Sequence, residues 1–295
     1  MSGMFRNCVN LEQIILGNRF CTDNVENMSH MFEECSNLKA LDLSTFRGNE
    51  VRDITYMFQK CSSLETLDLS TFRGDYVSNM SHLFYLCDKL KTLDLSAFHG
   101  GHVMNMSYML YGCKDLISVD LSNFDTSYVQ DMSYMLYDCN KLTSIDLSSF
   151  NTRQVAQMEG MFCNCHSLET LDLAGFETGG LINMRSMSAG CSNLKELDIR
   201  NFNLVRLREN SFLYIFYKCD ELCVIHTPFN LRLNQDLEDL PKKEESDQWY
   251  KSGMGDDAAV DKLPKNLDHS ILLIKNKRFE YPCITAQQNI PAERH

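Results

Sequence analysis

Seven aspartates, Asp42, Asp68, Asp94, Asp120, Asp146, Asp172 and Asp198, stand 26 residues apart along this chain. Carboxylates in such a column could act in acid–base pairs, hold a hard divalent cation through oxygen, or recruit a basic peptide. Acid–base work needs two carboxyls in unlike environments, and a flat ladder of identical neighbours supplies none. A second column is made of thiols: Cys35, Cys61, Cys87, Cys113, Cys139, Cys165 and Cys191 keep the same 26-residue step, flanked by Cys8 and Cys219. Each lies on an apolar stripe, where a thiol serves as a small buried filler. Cys163-Asn164-Cys165-His166 and Cys219, Cys223 and His226 contain metal-ligand types, but neither group makes a four-ligand set of familiar spacing. The sequence has no G-x-S-x-G elbow, H-E-x-x-H, phosphate-binding loop or dinucleotide glycine pattern. No catalytic residue, metal or cofactor is expected, and no enzyme.

The elements that position these columns follow from the repeat itself. Leu64-x-x-Leu67-Asp68-Leu69-Ser70 alternates with period two, so it predicts a short strand with Leu67 and Leu69 inward and Thr66, Asp68 and Ser70 outward. Upstream, Ile54, Met57, Phe58, Cys61 and Leu64 recur at three- and four-residue steps, which predicts a helix of about two turns. Asn27, Asp53, Asn79, Asn105, Asp131, Gln157, Asn183 and Ser211 each precede a cysteine by eight residues, and seven of the eight are expected as helix N-caps. Phe46, Phe72, Phe98, Phe124, Phe150, Phe176 and Phe202 are expected to form an inward aromatic spine. The expected fold class is α/β: a leucine-rich-repeat solenoid with a parallel strand face, short helices and about nine rungs, over residues 1–228. A weak rung is expected where Ser188 replaces the usual Phe or Leu. Residues 229–275, with Trp249 and the Ser270–Ile274 run, are expected to cap the array, and 276–295 to form a tail.

The aspartate column faces out, with Ser44, Ser70, Ser96, Ser122 and Ser148 beside it. Stacked like charges repel, so solvent, cations or hydroxyls must offset them. The alternative to a binding ladder is a solvated face whose Asp and Ser bond local backbone. On a helix, the positions five and two before the cysteine would face solvent, and they hold Tyr56, His82, Tyr85, Tyr108, Tyr111, Tyr134, Tyr137, Tyr214 and Tyr217. Tyr85, Tyr108, Tyr111, Tyr134 and Tyr137 are therefore convex candidates for docking a protein or glycan, against the alternative that neighbouring rings only cover one another.

Net charge is -12, with no basic run, so nucleic acid and anionic lipid are poor partners. No stretch is apolar for the roughly 18 residues that a membrane-spanning helix needs. Met1 to Cys8 matches the interior of a repeat, so upstream sequence is expected, and end-to-end self-association is expected at the exposed first rung.

The phrase Asn-Met-Ser-x-Met-Phe-x-x-Cys-x-x-Leu-x-x-Leu-Asp-Leu-Ser-x-Phe, nearly intact at 79–98, 105–124 and 131–150, resembles the BspA-like leucine-rich-repeat surface proteins. Thr227-Pro228, Leu240-Pro241, Trp249-Tyr250 and Leu263-Pro264 resemble the module that closes many such arrays. The resemblance implies a secreted or cell-surface protein of a bacterium or mucosal protozoan that contacts other proteins or glycans without catalysis. A secretion signal and a sorting motif are not recognisable here. An intracellular scaffold for protein–protein contacts is the competing expectation.

Overall fold

The computed structural model describes residues 1–17, 20–228, 240, 249–252, 259–260 and 272–275. Seven short strands come from the Leu-Asp-Leu phrase or its equivalents: β1 (Gln13–Ile14), β2 (Ala40–Leu41), β3 (Thr92–Asp94), β4 (Ser118–Asp120), β5 (Thr170–Asp172), β6 (Glu196–Asp198) and β7 (Val224–His226). They pair in parallel with the equivalent strand of the next repeat, Leu93 opposite Val119 and Leu171 opposite Leu197. Period-two alternation holds as expected: Leu93 is buried between exposed Thr92 and Asp94. A second parallel ladder runs through isolated bridges, Asn27 to Asp53 to Asn79 to Asn105 to Asp131 to Gln157 to Asn183.

The expected helices do not form: among the described residues there is none. In Met28–Cys35 the N–H groups of Met28, His30, Phe32 and Glu34 donate to the carbonyls of Asp53, Thr55, Met57 and Gln59 in the next repeat, at 2.8–2.9 Å. Those of Met31, Glu33 and Cys35 donate back to Met28, His30 and Phe32, at 3.1–3.2 Å. With Ser29 N–H on the Asn27 side chain at 2.9 Å, every donor is committed to a turn, a side chain or a neighbouring coil, and none remains for the four-residue helical bond. At least two residues in each turn run have left-handed backbone, for example His30 (φ 58°) and Glu34 (φ 60°), Tyr56 (φ 60°) and Lys60 (φ 57°). Positive φ at the third residue of a turn is the type II geometry and is incompatible with a helix. A turn ladder also brings side chains three and four apart onto one face, which is why the apolar spacing imitated a helix.

The expected N-caps take a related role. Oδ1 of Asn27, Asp53, Asn79, Asn105 and Asp131 accepts the N–H two residues on, at 2.8–3.0 Å, opening each turn run with an Asx turn.

The core is one continuous cluster of the repeated Met, Leu, Phe and Cys. Phenylalanines stack along it in two spines: Phe5, Phe32, Phe58 and Phe84 at 5.3–5.7 Å, and Phe72, Phe98 and Phe124 at 5.4–5.9 Å. The column cysteines are buried, and each thiol also donates to the preceding coil's turn carbonyl, as Cys87 Sγ does to Phe58 at 3.1 Å and Cys113 Sγ to Phe84 at 3.3 Å. The filler expectation therefore misses a function of the thiol: it satisfies a second lone pair on a buried carbonyl. Burial pushes these thiols up, Cys35 to about 11 and Cys165 to about 12. Ser188 is fully buried, and its hydroxyl donates to the Ile215 carbonyl, so that repeat replaces ring burial with a hydrogen bond.

At the C-terminal end β7 pairs on its far side with β10 (Leu272–Lys275), antiparallel, His226 opposite Leu272. Strands β8 (Trp249–Ser252) and β9 (Ala259–Val260) continue that sheet in the order β5-β6-β7-β10-β8-β9. Leu240, Trp249 and Leu273 are buried in the core cluster. Most of 229–275, and all of 276–295, lie outside the described residues.

Candidate binding faces

On the strand face Asp42, Asp68, Asp94, Asp120, Asp146 and Asp172 are exposed. In each, Oδ1 accepts the N–H two residues on, from Ser44, Ser70, Ser96, Ser122, Ser148 and Ala174, at 2.8–2.9 Å. Each aspartate is thus an Asx-turn cap, the local-backbone role weighed above. Repulsion between carboxylates one strand spacing apart is screened by the water around them, whereas the turn N–H donates directly to each charged oxygen. The turn bond is the stronger local interaction. Hydrogen bonds from the Ser44, Ser70 and Ser122 backbone hold Asp42, Asp68 and Asp120 below the usual carboxylate range, and the Ser148 hydroxyl and N–H do the same for Asp146. Thr92, Asp94, Ser118, Asp120, Ser122 and Asp146 line a shallow groove of about 370 Å³.

Asp198 departs from the exposed column. It is buried, at 8% exposure, beneath Arg200, which replaces the serine of earlier repeats. Arg200 Nε donates to both carboxylate oxygens, 2.9 Å to Oδ1 and 2.8 Å to Oδ2, while the Arg200 N–H keeps the Asx-turn bond at 3.1 Å. Arg200 Nη2 lies 3.1 Å from His226 Nδ1, whose Nε2 lies 2.8 Å from Glu196 Oε1. A guanidinium only donates and a carboxylate only accepts, so His226 is the Nε2–H tautomer there. The arginine was visible as a break in the serine column. Its engagement with Asp198 was not foreseen.

On the turn-ladder face Tyr214 and Tyr217 are exposed as expected, but the tyrosines of the earlier repeats do not stand free. His30, Tyr56, His82, Tyr108 and Tyr134 stack at centroid spacings of 4.5–4.9 Å, and Tyr85, Tyr111 and Tyr137 form a second column at 4.6–4.8 Å. Rings repeated on coils one strand spacing apart must stack at this distance. The left-handed backbone at Tyr56, His82, Tyr108 and Tyr134 costs about 1–2 kcal/mol each, and an aromatic pair contributes about 0.5–1.5 kcal/mol, so stacking offsets most of the strain. Tyr85, Tyr108, Tyr111, Tyr134 and Tyr137 are half-buried, with ring faces against one another and edges outward, in place of the expected exposure. Burial raises the Tyr111 phenol to about 12. The column ends at Gly160, where an added Cβ would come within 2.7 Å of the Tyr134 ring, and the Tyr134 hydroxyl donates to Glu159 Oε1 at 2.6 Å.

A third aromatic column went unread although it keeps the same period: Tyr76, His102 and Tyr128, at 5.9 and 6.3 Å, with both tyrosines exposed. Among the described residues no three His, Cys, Asp or Glu side chains converge as a metal site.

A leucine rich cell surface protein of Faecalibacterium prausnitzii A2-165 is a solved structure similar to this chain at 16% identity, over 75% of this chain and 74% of that one, with a TM-score of 0.32. No curated protein sequence matches the chain. A family model matches residues 1–116 and again 79–202, the span of the stacked repeats just described. With well over half of its length matched, the chain belongs to the family described as "Mycoplasma protein of unknown function, DUF285".

Proposed function

We propose that the array is a noncatalytic recognition module whose acidic strand face takes a cationic segment of a partner protein. The observation that carries this reading is Arg200 on Asp198: an aspartate of the column engages a guanidinium through both oxygens while keeping its turn bond. In the groove, Asp94, Asp120 and Asp146 each commit Oδ1 to the turn and stand exposed. Arg suits such sites because its planar fork matches a carboxylate. The BspA-like phrase supports placing this module at a cell surface, where it would contact another cell's proteins. Membership of the family carries no ligand with it, and fold alone does not assign one.

The test is fluorescence anisotropy with a labelled Arg-Ser repeat peptide, compared with Glu-Ser and Lys-Ser peptides. Asp94→Asn, Asp120→Asn and Asp146→Asn together keep the turn acceptor but remove the charge. Binding of the Arg peptide that weakens with salt and falls at least tenfold in this variant is expected. An equal fall on neutralising Glu34, Glu65 and Glu177 instead, or no binding at all, would sink the reading.

A further inference from the structure

The turn-ladder face carries a second, independent property. Tyr134 Oη donates to Glu159 Oε1 at 2.6 Å, so that phenol has a carboxylate base in place. Its ring lies 4.9 Å from Tyr108 and 5.9 Å from Tyr137, the latter tilted by 55°. Tyr137 stacks in turn on Tyr111 at 4.6 Å. A phenol gives up an electron readily only if its proton leaves with it, and a positioned base accepts that proton. Stacked neighbours then hold the second ring that a phenoxyl radical needs in order to couple.

We propose that this face is a site of oxidative tyrosine coupling, initiated at Tyr134 and joining it to Tyr108 or Tyr137. The co-reactant is a peroxide acting through a haem-type one-electron oxidant. Tyr134 loses one electron to the oxidant and its phenolic proton to Glu159, which passes it to water. A second tyrosine, Tyr108 or Tyr137, loses one electron to the oxidant and its phenolic proton to water. The two radicals form a carbon–carbon bond between their ortho positions, and each ortho hydrogen moves to its own oxygen to restore both phenols. Overall, two tyrosines and one hydrogen peroxide give one linked pair and two waters. A link from Tyr134 to Tyr108 would join neighbouring coils covalently, where hydrogen bonds, packing and the Lys141–Asp115 ion pair at 2.7 Å hold them now.

The groove aspartates and these rings take no part in each other's contacts, so coupling here is independent of binding on the strand face. To test it, the whole chain at low concentration is treated with peroxidase and hydrogen peroxide, and peptides are mapped by mass for pairs that have lost two hydrogen atoms. The expected result is an intramolecular link containing Tyr134. Tyr134→Phe, which keeps the stacked ring, should abolish it, and Glu159→Gln, which keeps an acceptor but not a base, should slow it at least about tenfold. Circular dichroism of both variants should match the parent. Links confined to the exposed Tyr76, Tyr128, Tyr214 and Tyr217, a link to Cys163, or an unchanged rate in Glu159→Gln would each overturn the proposal.

Discussion

Thr152 offers a sharp test of how the coils are joined. Its side chain is buried, and Oγ1 both donates to the Glu177 carbonyl at 3.1 Å and accepts the Glu177 N–H at 2.8 Å. Thr126 and Thr178 repeat the pattern with Asn151 and Asn203. Thr152→Val keeps the shape and removes both bonds, each contributing about 1 kcal/mol, so a loss of about 2 kcal/mol is expected. Thr152→Ser keeps both bonds and loses one methyl, about 0.8 kcal/mol. In a stacked array that loss falls on a single interface, so it should loosen the coils on either side of 152–177 before the rest. Urea unfolding gives the total, and hydrogen exchange at the Glu177 amide gives the location. If the Thr152→Val variant stays within about 0.5 kcal/mol of the parent, or if Thr152→Ser costs as much as Thr152→Val, the hydroxyl is not a coil-to-coil clasp.

Other perturbations separate the remaining terms. Gly100 occupies the place of these threonines at φ 64°, and an added Cβ would lie 2.7 Å from the Phe124 ring; Gly100→Ala should cost about 2–4 kcal/mol in chemical unfolding, from left-handed strain and overpacking together. Cys113→Ala removes buried volume and the bond to Phe84, for a loss of about 2 kcal/mol, and thiol labelling of the folded parent should leave Cys113 unmodified while exposed Cys21 reacts. Acid lability follows from Asp42, Asp68, Asp120 and Asp146: their folded pKa values lie below the unfolded ones, so their contribution is complete above about pH 4 and disappears as pH falls through the folded values. Alkaline lability has the opposite sign: the Cys35 and Cys165 thiols, raised to about 11 and about 12, contribute fully below about pH 8.5 and cease to contribute as pH climbs through the folded values. A melting temperature flat from about pH 5 to 8 and falling on both sides is expected; a continued rise above about pH 9 would refute the thiol argument.

The alternation of inward leucines and outward aspartates was legible because period two has few physical readings, but it overstates the strands: Leu67 and Leu69 are buried and Asp68 exposed as expected, yet no strand forms at 64–70. The turn ladder was not, since spacings of three and four suit a helix and a run of type II turns alike. The deciding signal lay one residue before five of the nine column cysteines, where Asn7, Gly112, Asp138, Asn164 and Gly190 stand. Asn, Asp and Gly are the residues that tolerate left-handed backbone, and all five adopt it. A helix would place such residues at its end; five of them at one repeated position, each followed by a core cysteine, argue for a turn instead. Asp198 was misplaced for a different reason: periodicity locates a side chain on a face but says nothing about a neighbour that covers it, here Arg200.

The two faces differ in what they leave available. Tyr85, Tyr108, Tyr111, Tyr134 and Tyr137 spend their ring faces on one another, so a ligand arriving there meets edges and hydroxyls, and the large apolar contact that makes tyrosine a strong anchor is already used. Asp94, Asp120 and Asp146 spend one carboxylate oxygen on a turn and keep their charge exposed. Stacking rings lowers the energy of the array itself, whereas repeating like charges does not. A column that is costly to repeat, with a local turn bond at every step, is the better place to look for a partner, and the Asp94, Asp120 and Asp146 groove is where the search should start.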